Sequence, residues 1–395
     1  MNKVAPEQVG LSSARLERLR THMQQYVDQN KYAGILTAIA RHDQLAFAEC
    51  FGMMDIEAKR SMQFDTIFRI ASMTKPIASV AAMMLHEEGR FQLSDPVSRF
   101  IPEFKDLKVY KNAAEVVPAE REVTIRDLLT HTSGLSSGFN PQSDPVDALY
   151  QKVQVRDPDG TLKDMIAKLG ELPLATQPGS EWRYSLSTNV LGYLIQVLSG
   201  LGFDVFLQQR IFEPLGMTDT GFHVPPAKLD RLAALYGPAD DRLKTAEAPW
   251  ISKSGFTTPA TFFSGEAGLV STATDYLRFS RMLLHNGELD GVRLLSRKTV
   301  ELMTTNHLSS NLLPYRLGGV QKGLGFGLGF SVVMDIGQTA ILGSVGTYSW
   351  GGAFNTHFWI DPKEDLIGIL MAQYSIPLQP IRYEFQTLAY QAVID

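Results

Sequence analysis

The order of hydrophobic periods along this 395-residue chain limits its fold more than any single motif. A helix is expected from Ser12 or Ser13, where Leu16, Leu19, Met23 and Tyr26 fall at helical spacing behind serine N-caps. Two strands follow, Gly34 to Ala40 and Gln44 to Phe51, around a short turn at Arg41-His42-Asp43. A long apolar helix comes after Ser72. From about Gln92 to Leu235 the chain reads as helices and irregular loops. There Thr124-Ile125-Arg126-Asp127 opens a helix with a capping signature, Asp144 to Gly160 reads as polar loop, and a helical run follows Asn189. Strand character returns at Phe330 to Met334, Ala353 to Ile360 and Leu366 to Met371. An amphipathic helix carrying Ile381, Phe385, Leu388 and Ala392 closes the chain. Helix, strands, helical middle, strands, helix implies a sheet assembled from both ends of the chain around a largely helical insertion.

Composition narrows the function classes. With 44% hydrophobic and 20% charged residues the chain has the balance of an ordinary globular protein. Its formal net charge is −5 and no basic run stands out, so neither nucleic acid nor an anionic membrane is an expected partner. The single cysteine, Cys50, excludes an intrachain disulfide, and its alternating strand-like surroundings read as a buried structural thiol rather than a nucleophile. Met1-Asn2-Lys3-Val4-Ala5-Pro6 lacks the apolar core of a secretory signal, and no segment approaches ~20 apolar residues, which makes a cytoplasmic enzyme the simplest expectation.

The chemistry centres on Ser72-Met73-Thr74-Lys75, the one Ser-x-x-Lys in the chain. On the order of one such match is expected by chance at this length, so context carries the argument. The motif sits where the extended run Thr66 to Ile70 gives way to the helix. Pro76 falls in the first turn, where proline is tolerated. The apolar face of Ile77, Val80, Met84 and Leu85 runs on to a stop at Gly89. A serine at a helix start lies near unpaired N–H groups, and a lysine three residues on lies one turn away on the same face. A desolvated, neutral lysine there can take the serine proton and make a nucleophile.

Other motifs compete. Gly134-Leu135-Ser136-Ser137-Gly138 fits Gly-x-Ser-x-Gly, but the strand before it and the helix after it that a nucleophile elbow needs are both missing. It reads as a tight turn, and His131 within the same region reads as structural rather than as a catalytic base. The glycines at 323, 325, 327 and 329 lead into a strand and form neither Gly-x-Gly-x-x-Gly nor a Walker loop. They mark backbone that something approaches closely, or a flexible strand edge. No His/Cys/Asp cluster has ligand spacing, so no metal and no other cofactor is expected. Tyr184 and Trp350-Gly351-Gly352, taken singly, read as packing residues and a strand-end turn.

Taken together and in order, these motifs change the reading. Phe68-Arg69-Ile70-Ala71-Ser72-Met73-Thr74-Lys75-Pro76, Leu128 to Leu135, Pro178-Gly179-Ser180-Glu181-Trp182-Arg183-Tyr184-Ser185, Pro214-Leu215-Gly216-Met217 and Gly325 to Phe330 resemble the serine beta-lactamase and penicillin-binding-protein superfamily. Within it, the chain is most similar to the class C-type carboxylesterases called family VIII esterases. The resemblance implies an α+β, beta-lactamase-like fold in which an antiparallel sheet is flanked by helices from both termini. Residues 1–90 and 250–395 would form the sheet domain and 91–249 a mainly helical domain, with the active site at their interface. It implies Ser72 as nucleophile, Lys75 and Tyr184 as general base and acid, and the backbone N–H groups of Ser72 and Ala353 as oxyanion hole. Trp350, Gly351, Gly352 and Leu186 would line the substrate pocket.

Two departures from the superfamily pattern bear on specificity. The late motif begins with Trp350 where Lys or His usually serves a substrate carboxylate, so a charge-assisted hydrogen bond worth roughly 1.5–3 kcal/mol is missing from that position. An indole suits an apolar acyl or alcohol group instead. The middle motif ends in Leu186 in place of asparagine, which removes an amide donor. Both changes favour neutral esters, and a serine carboxylesterase is the resulting expectation; short acyl chains are what the family resemblance implies. The alternatives are an acyltransferase, or a beta-lactamase or D-amino-acid peptidase, on the same scaffold; an inactive peptidoglycan- or penicillin-binding module is the non-enzymatic one. The physiological ester, the oligomeric state and the order in which Lys75 and Tyr184 act stay open at this level.

Overall fold

The computed structural model describes residues 3–239, 242–248, 252, 254–376 and 380–395. Part of the stretch Ala227 to Phe263 lies outside them.

The first helix, α1 (Ser13–Asp28), starts at Ser12, whose side chain accepts from the Arg15 N–H, and it buries Leu16, Leu19, Met23 and Tyr26. Strands β1 (Gly34–Arg41) and β2 (Gln44–Asp55) form a hairpin that short β3 (Arg60–Ser61) extends. All eight residues of β1 are buried. That burial explains its unbroken apolar run, because β1 is a central strand covered on both faces. Helix α2 (Thr74–Glu87) follows, then a middle region containing α3 (Ile125–Thr130), α4 (Pro145–Lys152), α5 (Leu162–Gly170) and α6 (Ser187–Ser199). Helix α7 (Ala273–Leu284) leads back toward the sheet. The last third supplies β4 (Leu324–Phe326), β5 (Ser331–Val333), β6 (Tyr348–Gly352), β7 (Thr356–Asp361) and β8 (Leu366–Ala372), before the closing helix α8 (Ile381–Tyr390).

The strands make one eight-stranded sheet in the order β4-β5-β6-β7-β8-β1-β2-β3. The two ends of the chain join at the antiparallel β8–β1 pair, with Leu36 opposite Met371 and Arg41 opposite Leu366. Side chains alternate between two cores. Ile35, Ile39, Trp359 and Leu370 pack under α1 and α8 with Leu19, Met23, Ile381 and Phe385. Leu36, Ala38, Phe358, Ile369 and Met371 share the larger core with α2, α6 and α7. This is the beta-lactamase-like, mixed helix and antiparallel-sheet architecture. Among the described residues no single helix is long and apolar enough to cross a membrane.

Several local expectations need correcting. The strand expected from Ala353 begins later, at Thr356: residues 353–355 turn, and a separate strand, β6, ends just before them at Gly352. Trp350-Gly351-Gly352 therefore lies inside a strand and not in a turn. Asp144 to Gly160 is not all loop. Asp144 caps α4 by accepting from the Val146 and Asp147 N–H groups, a function its polar composition concealed. The helical middle also holds a small hairpin, Lys108–Asn112 with Glu115–Pro118. Cys50 is half-buried rather than buried, and desolvation pushes its thiol up to about 11, away from nucleophilic range.

Candidate active site

Ser72 lies in a single 3-10 turn, Ala71–Met73, that runs directly into α2. Neighbouring backbone pins this turn. Ile70 N–H donates to the Leu269 carbonyl at 3.1 Å, and the Tyr276 hydroxyl donates to the Met73 carbonyl at 2.9 Å. Ala71 is held at φ 43, a left-handed conformation that costs an alanine on the order of 1 kcal/mol or more. The surrounding contacts thus fix where the Ser72 side chain emerges.

Lys75, one turn on, is 2% exposed. Its Nζ stands 3.5 Å from Ser72 Oγ and donates to the Glu266 backbone carbonyl at 2.9 Å. Burial drives its ammonium down to about 7; the Glu266 charge opposes that shift and Arg156 reinforces it. The third member arrives from the segment before α6, which lies along the turn after α3. There Arg183 N–H donates to the His131 carbonyl at 2.8 Å and Leu186 N–H to the Ser136 carbonyl at 3.1 Å. This register brings the Tyr184 hydroxyl to Ser72 Oγ, where it donates at 2.7 Å. Desolvation first, and the Glu266 charge second, push the Tyr184 phenol above its ordinary value, so it keeps its proton at neutral pH. The Tyr184 ring lies 4.4 Å from Lys75 Nζ and packs against His131 at 5.0 Å and Trp350 at 5.8 Å.

The end of β6 comes close to Ser72. A methyl group on Gly352 would meet the Ile70 carbonyl at 2.4 Å and Thr356 Oγ1 at 2.2 Å, and Thr356 Oγ1 itself donates to that carbonyl at 3.3 Å. Only glycine permits this approach, and Ala353 follows in the turn, packed against the small apolar cluster that contains Ala71. Trp350 lies with Phe326 at 5.4 Å in a buried aromatic cluster that includes Trp182 and Tyr315. The glycine series behaves as close-approach backbone. A Cβ at Gly327 would meet the Met303 carbonyl at 2.1 Å, and one at Gly329 would meet Ser79 Oγ at 2.3 Å.

Leu186 is a correction. It is fully buried in the main core at the start of α6 and presents no surface to a ligand. Its place in the motif serves packing. The competing serine is accounted for as well. Ser136 is fully buried; its hydroxyl donates to Asp147 and accepts from Arg183 Nε at 3.1 Å, far from the exposed pose of an elbow nucleophile. His131 is buried against Trp182, Tyr184 and Phe326 and shares a 3.2 Å hydrogen bond with Ser185 Oγ. Desolvation, then the nearby Lys75 charge, hold it well below its usual value and neutral.

Sequence reasoning missed a buried polar group beside Lys75. Glu266 is 3% exposed and sits between glycines in Gly265-Glu266-Ala267-Gly268. Its carboxylate accepts from Arg156 at 2.8 Å and from Asn189 Nδ2 at 3.1 Å. Arg156 and Asn189 are 110 and 77 residues away in sequence, so no local spacing signals the group.

Comparisons with known proteins place the chain in a family. A family model described as Beta-lactamase matches residues 19–391. Esterase EstB of Burkholderia gladioli is 30% identical over 388 residues, covering 93% of this chain and 92% of that one. Protein Rv1367c of Mycobacterium tuberculosis is 38% identical over 370 residues, covering 91% and 90%. Among solved structures, EstCE1, described as a hydrolase with promiscuous acyltransferase activity, superposes with a TM-score of 0.83 at 26% identity, covering 95% of this chain and 98% of that one. The fold, the matched length and these identities agree, and the chain belongs to the beta-lactamase family.

Proposed function

We propose that the protein is a serine carboxylesterase that cleaves neutral, short-chain esters through an acyl-enzyme on Ser72. The observation that carries this reading is the Ser72 hydroxyl held between a buried lysine near neutrality and a tyrosine that retains its proton. In the proposed cycle Ser72 Oγ attacks the ester carbonyl carbon and its proton passes to Lys75 Nζ. The carbonyl oxygen becomes an oxyanion facing the N–H groups of Ser72 and Ala353; losing one such donor typically costs ~3 kcal/mol of barrier. The C–O bond to the alcohol then breaks, and Tyr184 gives its proton to the leaving alkoxide and is reprotonated from Lys75. Water attacks the acyl-enzyme with the same groups acting in reverse, which releases the acid and restores Ser72. The assignment of Lys75 as first base follows from the two shifts: one group is poised to gain a proton near pH 7, the other is not disposed to lose one.

Trp350 in place of a cationic residue, with its ring 5.8 Å from that of Tyr184, supports neutral substrates. The description of EstCE1 as a hydrolase with promiscuous acyltransferase activity favours acyl transfer as the second reading, because both outcomes share the acyl-enzyme. Pre-steady-state hydrolysis of a short p-nitrophenyl ester tests the proposal. A burst of p-nitrophenol stoichiometric with enzyme, lost in Ser72→Ala, is expected; full activity in Ser72→Ala overturns it. Adding a primary alcohol then separates hydrolysis from transfer by the products formed.

A further inference from the structure

The buried carboxylate beside Lys75 raises a physical problem. A negative charge next to a lysine favours the ammonium, which cannot accept a proton from serine. The fold nonetheless places Glu266 here with its backbone carbonyl on Lys75 Nζ. Asn189 fixes it at both ends, accepting from the Glu266 N–H at 2.9 Å and donating to its carboxylate at 3.1 Å. The remaining carboxylate oxygen takes the Arg156 guanidinium at 2.8 Å. Arg156 comes from the loop after α4, and its guanidinium carbon lies 4.3 Å from the centre of the Phe139 ring, which is itself 43% exposed. The cation therefore links the outer segment around Phe139 to the floor of the site.

We propose that Arg156 is a positioning residue for catalysis: by pairing with Glu266 it cancels the carboxylate's hold on the Lys75 proton, so that Lys75 is available as the base. This rests on Ser72, Lys75 and Tyr184 being the reacting groups. Among the described residues, the ionisable groups around Lys75 are Tyr184 from the segment before α6, His131 from the turn after α3, Glu266 from the loop before α7 and Arg156 from the loop after α4. Tyr184 and His131 are both held neutral, which leaves the Arg156–Glu266 pair as the charge that sets the balance.

The pair makes a prediction of opposite signs. In Arg156→Gln the carboxylate is left uncompensated, Lys75 keeps its proton to higher pH, and the acid limb of kcat/KM moves up by about one pH unit or more. In Glu266→Gln the cation is uncompensated and the limb moves down. The double variant, with no net charge change, returns toward the wild-type profile. The experiment is kcat/KM against pH on a short p-nitrophenyl ester for the four proteins, with active enzyme counted by phosphonate labelling of Ser72. Limbs moving in opposite directions support the role. Limbs that stay fixed, or move together, make the pair a purely structural contact and overturn it. If Arg156→Gln does not fold, Glu266→Gln decides alone: a downward limb supports the role and an unmoved or raised one overturns it. Wild-type protein that is not labelled at Ser72 overturns the acyl-enzyme reading itself, whereas labelling with unmoved limbs removes only the assignment of Arg156.

Discussion

Replacing Lys75 by methionine should destroy activity and stabilise the fold. Burial lowers the lysine from 10.5 to about 7. At about 1.4 kcal/mol per unit this is a native-state penalty of roughly 5 kcal/mol, fully present below pH 7. The sign follows from proton counts. Between about pH 7 and 10.5 the unfolded chain holds a proton on Lys75 that the native protein does not, so wild-type stability rises with pH across that window. Methionine fills similar volume without a charge, but it abandons the Glu266 carbonyl, at a cost of about 1–3 kcal/mol. The net gain is roughly 2–4 kcal/mol near pH 7, shrinking at up to about 1.4 kcal/mol per unit as pH rises. Thermal and urea unfolding of both proteins at neutral and alkaline pH, with ester hydrolysis in parallel, is the assay. A variant that is less stable than wild type at pH 7, with the same pH dependence, would refute the argument that the site holds a strained, desolvated base.

Further outcomes follow from the same geometry. Tyr184→Phe should lower kcat by about 10²–10⁴, the usual worth of a general acid–base group, with little change in Tm, because the ring's packing against His131 and Trp350 survives. Gly352→Ala should displace the end of β6 from the Ile70 carbonyl and lower kcat by about 10²–10³ through a misplaced oxyanion donor, measured on a substrate at saturation. Ser136→Ala should keep hydrolysis yet lose about 1–3 kcal/mol of stability, since Asp147 and Arg183 each lose a partner in a buried site.

The legible parts of this molecule were those with local periodicity or local chemistry. Leu16, Leu19, Met23 and Tyr26 announced α1, and the capping box of Thr124 and Asp127 announced α3, because helix spacing and caps are written within a few residues. Ser72 and Lys75 were legible for the same reason, being one helical turn apart. Tyr184 needed the order of distant motifs. What was hidden depends on contacts between distant segments. Residues 353–355 turn where a continuous strand was expected, because Gly352 must fit against Ile70, 282 positions earlier in number. Leu186 looked like a pocket residue by motif position, yet tertiary packing turns it wholly inward. Glu266 carries no signal at all until Arg156 and Asn189 are brought to it.

The central claim is that Ser72 is the atom that becomes acylated. Incubation with a p-nitrophenyl phosphonate, followed by intact-protein mass spectrometry and peptide mapping, tests it most directly. The account predicts a single adduct, located on Ser72, formed in step with the loss of ester hydrolysis. An adduct on Ser136, or full inhibition with Ser72 unmodified, would contradict it.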